Sequence, residues 1–189
     1  MVAKNMVLGR VHQSLNEELK WLWTKDVKMN TVHIEDVARA CWAAAEWYAA
    51  GKANWDVSSQ GRVPIFNIVD HQNTDQGHLA QITTEVFGVK NSFVGSIMST
   101  FAKMNMDNVL EDVNEHVMGP WAELLAKAEI TRPGPLNPFM EKEQVKDEDL
   151  CLDGSLFEKT VGFEYKRPMC RKEDIEEMIE SYRTMGWWP

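Results

Sequence analysis

Side chains that could transfer protons occur at two points of this chain. Asp70 and His71 directly follow the apolar run of residues 63–69, and His33 ends a short β-rich run. An Asp–His pair at the end of a strand can act as general acid and base, because imidazole changes its charge near neutral pH. His33, Asp70 and His71 are therefore the candidate catalytic residues.

Each of these candidates also has a structural interpretation, which the sequence leaves open. Asp70 and His71 could satisfy loose backbone groups in a turn. His33 could hydrogen-bond to the backbone and hold the turn into the next helix. His71 and His78 are seven residues apart and have no evident third ligand, so no metal site is predicted.

Tryptophan and methionine are unusually common, with eight and eleven residues. Such side chains fill cores, and they also line adaptable apolar pockets. A pocket of this kind would bind a hydrophobic small molecule. The predicted lining residues are Trp21, Trp23, Met98, Phe101, Met104 and Trp121; their alternative is the ordinary core of a helical domain.

The first half of the chain alternates helical and extended patterns. Apolar spacing predicts a helix over residues 2–20, and a β-rich run follows at 31–34. Glu35 or Asp36 is expected to cap a helix that ends at Gly51. Residues 63–69 (VPIFNIV) predict a buried strand.

The second half is predicted to be mostly helical. Thr74 is expected to cap a helix ending at Gly88, and residues 92–105 suggest another. A helix over 107–117 is expected to break at Gly119-Pro120 and resume over 121–128. Short elements follow near 150–152 and 155–160, then a last helix over 171–185. The terminal Trp187 and Trp188 are expected to dock on this chain or a partner. The fold class is α+β, helix-dominated, in one domain over 1–189.

Bulk composition excludes some classes of partner. The net charge of −9 over 189 residues argues against nucleic acid and anionic membranes. Cys41, Cys151 and Cys170 lack the spacing of a zinc or redox pair, which fits a reducing, cytoplasmic compartment. Cys41 lies in an apolar helical run and is expected in the core.

Four segments carry a resemblance to a known family. Residues 31–40 (TVHIEDVARA) resemble the segment of extended short-chain dehydrogenases in which a strand opens a helix beyond the catalytic residues. Residues 65–70 (IFNIVD) look like the family's next strand, and the helix ending at 87–88 looks like the one after it. Residues 162–168 (GFEYKRP) are similar to the end of fungal-type members. The order of the pieces agrees across most of the chain.

The resemblance covers only the substrate side of the family. The glycine-rich turn that holds the cofactor pyrophosphate has no counterpart here. Tyr48 and Lys52 have the spacing of the family's catalytic pair, but they follow the 31–40 motif, whereas the family's pair precedes it. The resemblance therefore implies a truncated Rossmann-type remnant without the nucleotide-binding half.

The leading expectation is a cofactor-independent enzyme: a cyclase, isomerase or dehydratase acting on a hydrophobic natural product, with no cofactor and no metal. The absent half would uncover a strand edge and apolar faces, so a homodimer is expected. One alternative is the C-terminal part of an NAD(P)-dependent oxidoreductase or epimerase. Another is a non-catalytic module that binds or stabilises a partner. A large, open apolar face would favour the oxidoreductase, and a closed apolar cavity the cofactor-independent enzyme.

Overall fold

A computed structural model describes residues 2–51, 64–70, 74–94, 105–144 and 150–189. Helices dominate it, and the fold class predicted from sequence, helix-dominated α+β, is confirmed. The described α-helices are α1 (Val2–Leu15), α2 (Ile34–Ala49), α3 (Gln76–Phe87), α4 (Met106–Lys127), α5 (Ser155–Val161) and α6 (Lys172–Thr184). The strands are β1 (Leu19–Trp21) and β2 (Asn91–Phe93), and a 3₁₀ turn spans Lys142–Gln144.

The chain divides into two compact units. Unit 1 comprises Met1–Val27, Asp75–Asp149 and Arg171–Pro189, and unit 2 comprises Lys28–Thr74 and Leu150–Cys170. The single domain expected over 1–189 stays a prediction. None of the described helices combines the length and the apolar character needed to cross a membrane.

In unit 1, helices pack around a small parallel sheet. β1 and β2 pair in parallel, with Leu19 opposite Asn91 and Trp21 opposite Phe93. The predicted helix over 2–20 is wrong at its end, because α1 stops at Leu15 and the chain turns at Asn16 (φ 55°) into β1. The buried residues of α1 face α3 and α4.

Helix α4 runs through the predicted break at Gly119-Pro120. Proline removes one backbone donor, but the apolar stripe on the buried face continues on both sides of it. That stripe is formed by Leu110, Val117, Trp121 and Leu124, which are all buried. Packing of this face therefore outweighs the local cost of Pro120.

The C-terminal tryptophans dock on unit 1, which confirms that they do not remain in solvent. Trp188 is buried, stacks on Phe87 at 6.2 Å between ring centroids, and meets Trp121 edge-on. Trp187 stacks on Tyr182. Aromatic contacts thus fix the end of the chain after α6.

Unit 2 is built around an aromatic cluster between α2 and α5. Phe157 and Phe163 are buried with Ala40, and partly buried neighbours complete the cluster. Phe157 lies 5.3 Å from Phe66 and 5.3 Å from Phe163 between ring centroids. The neighbours are Ala43, Ala44, Phe66, Ile68, Val161 and Tyr165.

The buried strand predicted over 63–69 is wrong as a paired strand. Residues 64–70 are extended, but no described residue joins them in a regular strand ladder. Side chains alternate instead, with Phe66 and Ile68 in the aromatic cluster and Ile65 and Asn67 exposed. The β-rich run at 31–34 likewise forms no strand, and Ile34 begins α2. These segments have strand character without a sheet to join.

Candidate functional site

Asp70 ends the extended segment 64–70 and is 4% exposed. Its Oδ2 accepts hydrogen bonds from the backbone N–H of Thr31 at 3.1 Å and from the hydroxyls of Thr31 and Thr74. Its own backbone N–H donates to the Thr31 carbonyl at 2.7 Å. The Asp70 carboxylate therefore fastens the segment before α2 to the segment that leads to α3.

The second carboxylate oxygen of Asp70 is buried and has no hydrogen-bond partner within the described residues. A buried acceptor without a partner carries a desolvation cost, and such atoms are uncommon in folded proteins. His71, which the sequence paired with Asp70 for acid–base chemistry, lies outside the described residues. The chemistry expected of this pair stays a prediction.

His33 lies at the N-terminus of α2 and caps it. Its Nδ1 accepts a hydrogen bond from the backbone N–H of Glu35 at 3.3 Å, and it is 3.9 Å from the Glu35 carboxylate. The cap predicted at Glu35 or Asp36 is therefore wrong. The imidazole takes the place of the usual Ser, Thr, Asp or Asn oxygen. Here the structural interpretation of His33 is realised, and a catalytic role stays a prediction.

The predicted pocket residues that the structure describes are all buried, in different surroundings. Trp21 stacks on Phe93 and donates from Nε1 to Asn91 at 2.6 Å. Trp23 packs with Met106 and Leu110, and its backbone has a positive φ of 70°. Trp121 meets Trp188, as described above. Met98, Phe101 and Met104 lie outside the described residues, so a pocket built from all six stays a prediction.

Asp36 of unit 2 is fully buried and well supplied with hydrogen-bond donors, and the sequence suggested only a helix cap for it. Its buried carboxylate accepts the backbone N–H groups of Lys166 (3.1 Å) and Arg167 (2.8 Å) and pairs with Arg39. Burial alone would raise the pKa of Asp36, but these hydrogen bonds and the Arg39 charge outweigh it and hold that pKa below its usual range.

Arg39 extends the same contact to the following segment. Its guanidinium lies 5.0 Å from the centre of the Phe163 ring and donates to the Glu164 carbonyl at 3.0 Å. The aspartate of the 31–40 motif thus binds residues 164–167 to α2. The resemblance treated residues 31–40 and 162–168 as separate motifs. The hydrogen bonds of Asp36 and Arg39 hold them together, and this set of contacts is called the Asp36 lock below.

The outer face of α2 is apolar and exposed. Ile34, Trp42 and Tyr48 are 73%, 69% and 70% exposed. Cys41 is also exposed, so its predicted place in the core is wrong. The aromatic cluster covers only the side of α2 that carries Ala40, and this exposed apolar side lies away from it. Ala38 and Ala45 continue the exposed stripe between the larger side chains.

Exposed apolar side chains also occur on the extended segments of unit 2. Ile65 is 80% exposed, and Leu150 and Leu152 lie outward on a segment that pairs with residues 28–30. The Asn67 amide bonds to the Asp153 carbonyl at 3.2 Å, which brings this segment beside 64–70. Unit 2 therefore presents large apolar side chains from both a helix and extended backbone.

The described residues do not fit a dinucleotide. A pyrophosphate needs free backbone N–H groups at the start of a helix that follows a strand, usually through glycines. Extended segments precede α2 and α3, but His33 and Asp75 occupy these helix starts, with Asp75 accepting from the His78 N–H at 2.9 Å. Gly77 in the first turn of α3 is packed against Lys25. Asp75 also replaces Thr74 as the cap predicted from sequence.

Comparison with family models, curated proteins and solved structures found no match to this chain. The resemblance to extended short-chain dehydrogenases therefore depends on the sequence motifs of residues 31–40, 65–70 and 162–168. The structure adds the two locks at Asp36 and Asp70 and the exposed apolar side chains of unit 2. These features are the basis for a functional proposal.

Proposed function

We propose that this chain is the substrate-side region of an oxidoreductase or epimerase of the extended short-chain dehydrogenase type. In this proposal, a nucleotide-binding region outside these 189 residues supplies the cofactor and the catalytic tyrosine. Unit 2 packs against that region as a truncated remnant of the Rossmann-type architecture. The observation that carries the proposal is the exposed apolar surface of unit 2.

The outer stripe of α2 has the spacing of a buried helix face. Ile34, Trp42 and Tyr48 follow one side of the helix together with small residues between them. Burial of one large apolar side chain stabilises a protein by about 1.5–3 kcal/mol. A face with several such side chains in water marks an interaction site more often than a solvent-adapted surface.

The extended segments support the same interpretation. Residues 64–70 have one side covered by the aromatic cluster, while Ile65 lies on the open side. A strand buried on both faces is typical of a parallel sheet covered by helices. The resemblance assigns residues 65–70 to a strand of that kind. Neighbouring strands and helices of a nucleotide-binding region would cover the open side.

The cofactor-independent reaction expected first from the sequence is less well supported. Its acid–base candidates are His33, Asp70 and His71; His33 and Asp70 make structural hydrogen bonds in the described residues, and His71 lies outside them. The starts of α2 and α3 are also capped by side chains, His33 and Asp75, so we assign no bound nucleotide to either helix start. The homodimer stays a proposal, with a second copy as the alternative cover for the exposed surface of unit 2.

Calorimetric titration of NADPH and NADH into the purified chain tests the proposal, together with the mass in solution over a range of concentrations. We expect no saturable heat from either nucleotide. Saturable binding at micromolar concentration would contradict the proposal, since the cofactor site would then lie within this chain. A concentration-independent dimer that shields Trp42 from a water-soluble quencher would instead identify a second copy as the occupant.

A further inference from the structure

Two histidines of unit 1 face each other where α1 packs against α4. The ring centroids of His12 and His116 are 6.1 Å apart, with the planes inclined by 50°. The Nε2 of His116 lies 2.8 Å from a carboxylate oxygen of Glu17, in the turn after α1. One helix contact therefore holds two groups that gain charge in mild acid and one fixed negative charge.

We propose that this cluster is an acid-sensitive contact, named here the histidine clasp, in which protonation of His12 weakens the packing of α1 against α4. The two histidines differ in what surrounds them. A proton on His116 is balanced by the Glu17 carboxylate, and both side chains are about half exposed. For His12 the Glu17 carboxylate is outweighed by burial and by the charge of His116.

The free nitrogen of His12 is the structural reason for this difference. Its Nδ1 is buried and has no hydrogen-bond partner within the described residues. In the charged imidazole both ring nitrogens carry a hydrogen, so Nδ1 would then be a donor. The new N–H would be buried without an acceptor, which is costly for a charged group.

Burial and the neighbouring charges together also lower the pKa of His12. Burial, and then the charge of His116, lower the pKa of His12; Glu17 and the bond to the Glu18 backbone oppose them but do not restore it. A histidine in the unfolded chain has a pKa of about 6.5 and binds the proton more readily. Stability is therefore complete above about pH 6.5 and falls as the pH drops below it.

Ring-proton titration by NMR, combined with thermal unfolding at pH 7.5 and 5.5, tests the clasp. The proteins are the unmodified chain, H12Q, H116Q and the control H78Q, which removes a histidine of α3. We expect His12 to titrate below about pH 6.5 and to shift upward in H116Q. The Tm should fall between the two pH values by about 2–4 °C more in the unmodified chain than in H12Q. H78Q should behave as the unmodified chain does.

Two results would overturn the clasp. One is a His12 that titrates at or above pH 6.5, which means that burial and His116 do not disfavour its charge. The other is the same change of Tm with pH in the unmodified chain, H12Q and H116Q. His116 is half exposed, so H116Q is expected to fold and keeps the test decisive even if H12Q does not.

Discussion

Units 1 and 2 manage their apolar side chains in different ways. Unit 1 buries Trp188 between Phe87 and Trp121, so even the chain end is covered. Unit 2 is the smaller, yet it has eight of the twelve large apolar residues that are exposed in the described part of the chain. They are Val32, Ile34, Trp42, Tyr48, Ile65, Leu150, Leu152 and Leu156.

Each unit also fixes segments of its chain through buried polar side chains. Unit 2 uses two buried carboxylates, Asp36 and Asp70, to hold extended segments in place. Unit 1 fixes the segment at Met140 with a buried amide, since Asn114 exchanges two hydrogen bonds with the Met140 backbone, and it packs Gly9 of α1 closely against Phe87 of α3. Both units therefore anchor segments by buried polar groups, and what distinguishes unit 2 is the apolar area that it leaves exposed.

Replacement of one tryptophan in each unit should give the largest difference in stability between the two units. Trp188→Ala empties a buried aromatic site and should lower the free energy of unfolding by about 3–5 kcal/mol. Trp42→Ala, the matched change on the exposed face of α2, should alter it by no more than about 0.5 kcal/mol. Urea unfolding followed by circular dichroism measures both. Equal losses would contradict the contrast between a covered and an open surface.

Removal of the Asp36 carboxylate should have the next largest effect. Asp36→Ala leaves the N–H groups of Lys166 and Arg167 without their acceptor and should cost about 2–4 kcal/mol. Asp36→Asn keeps one acceptor oxygen and should cost less.

The pH dependence of this loss follows from the lowered pKa of Asp36. The carboxylate contributes stability above the unfolded pKa of about 3.9, and the contribution disappears as the pH falls through the lower folded pKa. The difference in free energy of unfolding between Asp36→Asn and the unmodified chain should therefore be constant from pH 7 to 5. It should shrink as the pH falls below about 4. A difference in unfolding free energy that grows as the pH falls would contradict the stabilising role of the Asp36 carboxylate.

Two helical glycines test how closely α1 approaches α3 in unit 1. A Cβ on Gly9 would lie 2.7 Å from Phe87 Cδ2, so Gly9→Ala should cost about 1–3 kcal/mol. A Cβ on Gly119 of α4 would meet no other part of the chain within 4 Å apart from its own helix backbone and chain neighbours, and only the following Pro120 restricts it, so Gly119→Ala should cost less than Gly9→Ala. A larger loss for Gly9→Ala in thermal unfolding is the expected result, and two losses of similar size would refute the close approach of α1 to α3.

The smallest effect on stability is expected from the exposed face of α2. Trp42→Ser should change the free energy of unfolding by less than about 0.5 kcal/mol but reduce the fluorescence of a bound anilinonaphthalene sulfonate dye. Met185→Ser, which alters an exposed residue of unit 1, is the control and should leave the dye signal nearly unchanged. Unchanged dye binding in Trp42→Ser would show that this face is not the apolar surface that dye molecules reach.

Local patterns predicted much of the helical structure. The end of α3 at Gly88 and the last helix, which ends before Gly186, follow from glycines in left-handed conformation. The break at Pro120 was mispredicted because the sequence rule is local, whereas the buried stripe of α4 extends across it. The strand at 63–69 was mispredicted because alternation shows an extended segment and not whether a neighbouring strand pairs with it.

The candidate site was harder to predict. Asp70 was singled out, but its bonds to Thr31 and Thr74 join residues that are distant in sequence. The lock at Asp36 joins α2 to Lys166 and Arg167, far along the chain, and no local spacing reveals it. Cys41 was expected in the core because it lies in an apolar run, and such a run does not show which side of the helix is covered.

The proposed packing of the outer face of α2 on a nucleotide-binding region can be tested directly. The direct measurement is photo-cross-linking from p-benzoylphenylalanine at position 42, in cells that make the protein, with the cross-linked peptides identified by mass spectrometry. The same group at position 185 of unit 1 is the control. We expect position 42 to cross-link to peptides beside a glycine-rich strand-to-helix turn, and position 185 to give no such cross-link. Cross-links from position 42 only to other copies of this chain, or to nothing, would contradict it.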